Sequence, residues 1–380
     1  MTPRGAGSPG ALAVRLAHRI EAGGPLSVAD WMAACLGDRE HGYYVTRDPL
    51  GAAGDFTTAP EISQTFGELL GLWCVHAWTA MGAPAPVRLV ELGPGRGTLM
   101  KDALRAARGA PGFLAAASVH LVETSPVLRR RQAETLAGAT TGAPTGAAPA
   151  WHGRLEDVPD GPVLVLANEF FDALPVHQLV RVPGGWAERV VALDPAGAGA
   201  PRFRFALAPA PDPLAARVPP LLRGAPAGSL FETSPACEAV AREIGRRIAR
   251  NDGAALIVDY GHAPSGLGET LQAVRAHRPA PVLDAPGEAD LTAHVDFQVL
   301  AEAARSAGAE AFGPGTQGDV LVRLGIRERL QALLARADAR QAADLVSGVR
   351  RLIADEEMGK LFKVLALTRP GRGAPAGFAP

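Results

Sequence analysis

Residues 91–97 read Glu-Leu-Gly-Pro-Gly-Arg-Gly, three glycines at alternate positions after the apolar run Val-Arg-Leu-Val and a single acid. Glycine adopts positive φ without a Cβ penalty, so the spacing predicts a tight turn whose backbone closely approaches a bound molecule. A helix that starts from such a turn offers unpaired N–H groups to that molecule. Dinucleotide folds place their glycines as Gly-x-Gly-x-x-Gly; here Gly97 comes one position too early, and Glu91 would be awkward beside a pyrophosphate.

A cationic ligand removes that conflict. S-adenosylmethionine carries a sulfonium and an ammonium, which an acid at Glu91 suits, so Glu91, Gly93, Gly95 and Gly97 are the expected contacts. Glu123 ends the run "SVHLVE" 26 residues beyond Gly97. An acid at the tip of a second strand can accept from both ribose hydroxyls. The stretch "GRLEDVP" (153–159) then offers Glu156 or Asp157 as acceptor for an adenine amino group. In that order the three pieces point to a class I S-adenosylmethionine-dependent methyltransferase.

The acceptor side falls in "ANEFFDALPVHQ" (167–178), where a fourth strand should end. Methyl transfer is an in-line displacement, so the protein mainly aligns acceptor, methyl and sulfur. Asn168, Glu169 and Asp172 can orient a nitrogen acceptor and take up charge. Phe170 and Phe171 either bracket a planar cation or fill the core. Further on, "DLTAHVDF" adds Asp290, His294 and Asp296, and "LIVDYGH" puts Asp259 at a fifth strand's tip.

Positioning these residues takes an α/β fold. From residue 86 the pattern alternates: "VRLVEL", "TLMKDALRAAR", "ASVHLVE", "PVLRRRQAETL", then the buried run "VLVLANEFFD". That alternation predicts a parallel sheet covered by helices. Residues 1–10 read as a disordered tail and 11–84 as an N-terminal helical cap with a lid, its helix at 61–80 started by Thr58 or Asp55. Residues 85–380 read as the Rossmann-like domain. It carries an inserted β-hairpin region at about 176–206, from period-two alternation around Gly184-Gly185, and a helical C-terminal addition at about 295–355. The low-complexity stretch 137–150 reads as a surface connection.

Composition limits the alternatives. The 380 residues are 47% hydrophobic and 20% charged, with 38 basic and 39 acidic side chains and a net charge of -1. That balance excludes a general nucleic-acid binder. Cys35, Cys74 and Cys237 are scattered, which argues against a disulfide framework or structural zinc, and no metal is expected. No apolar run reaches the ~18 residues of a membrane span. The N-terminus reads as a short tail leading into an amphipathic helix on Leu12, Leu16 and Ile20, which fits a bacterial cytoplasmic protein. Read as a transit peptide, the same stretch would mean the mitochondrial matrix.

The strings "GDFTTAPEISQTFGELLG", "ELGPGRGTLMKD", "VETSPVLRRRQ", "NEFFDALPVHQ", "IVDYGH" and "LTAHVDF" together resemble the MidA-like methyltransferase family, in order over residues 25–368. The resemblance implies cofactor contacts at Gly93, Gly95, Glu123 and Asp157. It implies an N-terminal segment closing over the cofactor, with Asp55, Thr57, Thr58 and Glu61 near the site. It also implies a protein arginine acceptor, in this family a subunit of respiratory complex I. A guanidinium has pKa above ~12, so its attack needs carboxylates that localise its charge; Glu169, Asp172 and Asp296 are the candidates. A small-molecule or O-methyltransferase on the same fold, a cofactor-binding assembly chaperone without turnover, and an NAD oxidoreductase are the competing readings. The oligomeric state stays open.

Overall fold

The computed structural model describes residues 10–47, 57–138, 148–195 and 201–378. The expected tail through residue 9, the middle of the low-complexity connection (139–147), and Asp55 with the rest of 48–56 lie outside them. Among the described residues, seven strands make a continuous sheet: β1 Val87–Leu92, β2 Ala117–Val122, β3 Ala150–His152, β4 Val163–Asn168, β5 Gly253–His262, β6 Glu310–Thr316 and β7 Phe362–Thr368. They hydrogen-bond in the order β6-β7-β5-β4-β1-β2-β3, and a short ladder at Val295–Asp296 joins the end of β5. Strands β1 to β5 run parallel, while β7 is antiparallel to both its neighbours. The order reverses between β1 and β4, and a Rossmann-like sheet binds its ligand at the carboxyl ends flanking that point.

Alternation along these strands divides the interior into two cores. Leu89, Leu164, Leu166 and Leu256 face one, which is closed by α3 (Gln64–Ala80) and α4 (Thr98–Ala107). Val90, Val165, Ala255 and Ile257 face the other, under α6 (Pro235–Asn251) and α7 (Phe297–Ser306). The helix α5 (Pro126–Leu136) follows β2.

Helix α3 lies very close to α4. A Cβ on Gly71 would stand 2.5 Å from Ala103 Cα, and one on Gly67 2.8 Å from Asp102 Cβ. Glu68, between the two glycines, is nearly buried and accepts from Arg105 of α4 (2.9 Å) and from Arg329 (2.7 Å) on a helix near the C-terminus. Its carboxyl is held below the ordinary range by these two guanidinium groups, which overcome burial. The helix that follows the glycine loop is thereby clamped along its length.

This placement corrects the single N-terminal cap over 11–84: α3 belongs to the sheet's own helix layer. The helices α1 (Ala11–Gly23) and α2 (Val28–Gly37) pack elsewhere. They cover a second, antiparallel sheet made of Leu26–Ser27, His177–Val182, Gly185–Leu193, Phe203–Leu207 and Leu230–Thr233. The insertion expected at 176–206 therefore runs on to Thr233 and recruits the N-terminal segment. A three-stranded sheet (Gln272–Arg275, Arg278–Ala280, Asp290–Thr292) was not anticipated. Trp31, Tyr43, Val191 and Leu291 weld these parts into one apolar cluster.

The helical addition at 295–355 is also redrawn. Gly245 of α6 meets the Ala304 backbone of α7, and α7 leads directly into β6, so it is a crossover of the sheet. The true addition is α8 (Gln317–Arg323), α9 (Ile326–Leu334) and α10 (Ala339–Ile353), inserted between β6 and β7. Helix α9 carries Arg329, the second partner of Glu68.

The close approach at Gly71 sets competing effects against each other. Alanine would gain about 1 kcal/mol of helix propensity, yet a methyl at 2.5 Å from backbone forces a shift costing about 1–3 kcal/mol. Gly71→Ala should lower unfolding stability, whereas Gly37→Ala, with nothing within 4 Å of its Cβ, should change it by less than about 0.5 kcal/mol. Chemical denaturation compares the two; a Gly71→Ala variant more stable than the parent would refute the contact.

Candidate active site

At the carboxyl ends of β1 and β4 lies a cleft with about 220 Å³ of free space. The glycine loop forms one wall. Gly93, Gly95 and Gly97 all have positive φ (61°, 53° and 81°). The turn closes through the Gly97 N–H to the Pro94 carbonyl at 2.7 Å, and Gly97 then caps α4. Gly97 does not line the cleft; it shapes the turn that does. A Cβ on Gly93 would lie 2.9 Å from Phe170 Cδ2, so the loop after β1 and the loop after β4 touch where glycine leaves room.

Glu91, on β1 beneath this loop, is 3% exposed. Burial pushes its carboxyl up to about 8, opposed by the Met100 N–H. Its Oε2 has no hydrogen-bond partner among the described residues although it borders the cleft. Such an orphan costs about 1–3 kcal/mol, and a cationic ligand group would remove that cost.

Glu123 forms the opposite wall. The Ser125 N–H donates to its Oε1 (2.7 Å) and the Gln132 amide to its Oε2 (3.2 Å). Gln132 also donates to the Gly95 carbonyl (2.8 Å) and accepts from the Trp151 indole (2.8 Å). This fully buried glutamine ties the glycine loop to Glu123 and β3, and sequence reasoning missed it. A carboxylate has about four acceptor positions, and the Ser125, Gln132 and Thr124 donors occupy three at most, so Glu123 can still accept from a ligand hydroxyl. Burial raises its carboxyl above the ordinary range, against the pull of the same donors.

The acceptor end is shaped by Asp259 on β5, which is wholly buried. Its Oδ2 accepts from three successive N–H groups, Phe170 (3.1 Å), Phe171 (3.0 Å) and Asp172 (3.2 Å), and its Oδ1 from Tyr260 (2.9 Å). The loop curls around this carboxylate, and Glu169 is held at φ 49°. Asn168, Glu169 and Phe170 consequently face the cleft, while Phe171 enters the core. The Glu169 Oε1 accepts from Asn168 Nδ2 (3.1 Å) and from the Ala59 N–H (3.0 Å). Burial raises its carboxyl to about 7, the Ala59 N–H opposing and the Asp172 charge adding to the rise. Asn168 Oδ1 is buried without a partner among the described residues.

A short turn of helix, Ala59–Ile62, roofs the cleft with Thr58, Pro60 and Glu61. Thr98 of α4 donates to Glu61 across it (2.5 Å). Thr57 is described but stands off the lining. Thr58 does not cap α3; the Ser63 hydroxyl does so, and the other expected cap, Asp55, lies outside the described residues.

Three expected site residues stand apart. Asp157 is half exposed, pairs with Arg154 (3.4 Å) and does not border the cleft. Asp172 turns away from it and accepts from the Tyr260 hydroxyl; burial raises its carboxyl to about 6. Asp296 caps α7, accepting from Gln298 and Val299 (3.1 and 3.2 Å), and borders a separate small cavity. Helix starts recruit acids for that purpose.

Residues 69–315 match the family model Methyltransf_28, described as S-adenosyl-L-methionine-dependent methyltransferase. The chain belongs to this family. It is an S-adenosylmethionine-dependent methyltransferase, and the resemblance read from its sequence strings holds. It is 41% identical to the protein arginine methyltransferase NDUFAF7, mitochondrial, of Danio rerio, covering 94% of this chain and 86% of that one. The human protein of that name is 39% identical, over 93% and 82%. Among solved structures, a candidate methyl transferase from Burkholderia thailandensis bound to S-adenosyl-homocysteine is 31% identical with a TM-score of 0.82, covering 99% of this chain and 97% of that one.

The cleft fits the methyltransferase cofactor on its own geometry: a glycine cradle, an orphaned carboxylate oxygen for a cation, and a second carboxylate on the opposite wall with acceptor capacity to spare. Two consequences follow. Glu123→Ala should weaken S-adenosylhomocysteine binding by about 10- to 100-fold, the equivalent of one or two charge-assisted bonds, in a calorimetric titration. Unchanged affinity would remove Glu123 from the site. Glu91 has a folded pKa above its unfolded value of 4.5, so the fold binds the extra proton and loses stability as pH rises from there to about 8. Glu91→Gln should gain stability relative to the parent progressively across that window in ligand-free denaturation; a constant difference would contradict the assignment.

Proposed function

We propose that this methyltransferase modifies the guanidinium of an arginine in a protein substrate. The observation that carries the reading is the Glu169 carboxylate at the acceptor end of the cleft, with the unpartnered Asn168 Oδ1 beside it. The names of the relatives support the same acceptor. By resemblance, the substrate is a subunit of respiratory complex I. The location inferred with it is a bacterial cytoplasm, although the relatives carry the word mitochondrial in their names.

A guanidinium spreads its charge over three nitrogens and is a poor nucleophile until that charge is localised. Bound S-adenosylmethionine supplies a methyl carbon made electrophilic by its sulfonium. Glu169 engages the acceptor through Oε2, since Oε1 is taken by Asn168 and Ala59. Charge drawn to one side of the guanidinium leaves the far nitrogen richer in electrons for in-line attack. Glu169 then takes a proton from the nitrogen it holds, which returns the methylated guanidinium from two positive charges to one, and a carboxyl near 7 is matched to that task at neutral pH. Asn168 Oδ1 accepts a second N–H, and the Phe170 ring offers a face to a cation. Asp172 acts from behind, its charge raising Glu169. The cofactor wall in this reading is Glu91, Gly93, Gly95 and Glu123, under Thr58.

Incubation of a cell lysate with the enzyme and radiolabelled S-adenosylmethionine should place label in protein as methylarginine. Label confined to small metabolites would overturn the acceptor class. Glu169→Gln should cut transfer by at least about 100-fold while cofactor affinity stays within about threefold, the usual scale for a lost general base. Full transfer by a folded Glu169→Gln enzyme would end its role as the guanidinium clamp.

A further inference from the structure

Two features tie the roof to the acceptor loop and to α10. One is the Ala59 N–H, which reaches Glu169 Oε1 at 3.0 Å from the same turn that carries Thr58, Pro60 and Glu61 over the cleft. The other is Gly348, buried on α10: a Cβ there would stand 2.9 Å from the Ile62 carbonyl oxygen and 3.3 Å from Ser63 Cβ. Glycine in a helix interior costs about 1 kcal/mol relative to alanine. In α10 that cost permits the helix to seat against the roof backbone. The turn is thus held from three sides, by α4 through Glu61, by the acceptor loop through Ala59, and by α10 through Ile62 and Ser63.

We propose that Ala59 and Gly348 are positioning residues for methyl transfer: the Ala59 N–H, kept in place by the close seat of Gly348 beneath the roof, orients the Glu169 carboxylate toward the acceptor. The inference rests on the reading that Glu169 handles the acceptor. Two donors on one oxygen, Asn168 Nδ2 and the Ala59 N–H, fix the rotation of the carboxylate and leave the other oxygen for substrate. The roof over the donor and the group facing the acceptor then share one hydrogen bond, so displacement of one disturbs the other. The same N–H favours the charged carboxylate. The charged groups facing Glu169 are Asp172 on its own loop and Asp259 on β5, which oppose ionisation, and Arg351 on α10, which favours it. Loss of the N–H leaves burial and the two acids less opposed, and Glu169 keeps its proton to higher pH.

Two variants act on different parts of this link. Ala59→Pro removes the donor at the first position of the turn, where proline is best tolerated. Gly348→Val leaves the donor but crowds its seat, and Gly348→Ala is a milder form should valine fail to fold. The direct readout is a ¹³C NMR titration of the glutamate carboxyls in the full-length protein, with the Glu169 signal assigned by its loss in Glu169→Gln. Ala59→Pro and the folded Gly348 variant should each move the Glu169 midpoint upward by at least about 0.5 pH unit. Each should slow single-turnover methyl transfer to lysate protein at pH 7 about tenfold, with partial recovery at pH 9, and change cofactor affinity less than threefold. An unmoved midpoint in both variants, with Glu169→Gln inactive, would overturn this inference and leave the proposed function standing. A fully active Glu169→Gln would instead remove the function on which it rests.

Discussion

Four backbone N–H groups converge on the buried carboxylate of Asp259, and the cleft is arranged around that convergence. Each of these donors left unmade inside the protein would cost about 1–3 kcal/mol, so together they outweigh the roughly 1–3 kcal/mol of strain in a left-handed Glu169. These bonds hold the loop after β4 in the conformation seen. Three consecutive side chains, Asn168 to Phe170, are turned into the cleft, Phe171 is driven into the core, and Asp172 is sent back to the Tyr260 hydroxyl.

The donor half of the cleft is fixed to that same loop. Gly93 lacks a side chain where Phe170 needs the space, so the two loops that flank the topological switch are in direct contact. The glycine loop is in turn fixed at both ends. Its strand is paired on both sides, and the helix it starts is pressed against α3 through Gly67 and Gly71 and braced by the Glu68–Arg105–Arg329 group. Gln132 adds a cross-tie from the Gly95 carbonyl to Glu123. Beside this cleft, Glu91 Oε2 and Asn168 Oδ1 remain buried without a hydrogen-bond partner among the described residues.

Much of this was legible from spacing because the chemistry depends on backbone. A turn needs glycines at particular offsets, a parallel strand buried on both faces needs an unbroken apolar run, and an acid at a strand tip stands out against that run. Glu91, Glu123, Asn168 and Glu169 could be located in this way. Asp259 could be seen at a strand tip, yet its work could not, since main-chain donors leave no mark in sequence. Gln132 was hidden for the opposite reason: a lone polar residue on a helix next to Arg129, Arg130 and Arg131 looks solvent-facing until β3 covers it. Asp157 and Asp296 were misplaced because acids in loops and at helix starts are common and their neighbours in space were unknown. Of the accessory sheets, the strands within 176–206 were legible from their alternation, while their partners Leu26–Ser27 and Leu230–Thr233 and the three-stranded sheet escaped for a similar reason. Those strands are short, come from separate stretches of chain, and acquire a buried face only when α1 and α2 cover them.

A crystal structure of the complex with S-adenosylhomocysteine tests the central claim most directly. The account predicts both ribose hydroxyls within about 2.6–3.2 Å of the Glu123 carboxylate, the amino-acid end in the glycine loop near Glu91, and the sulfur directed at Asn168 and Glu169 with the Asp259 bonds intact. A ligand seated elsewhere, or lying in the cleft with its sulfur turned away from Glu169, would contradict it.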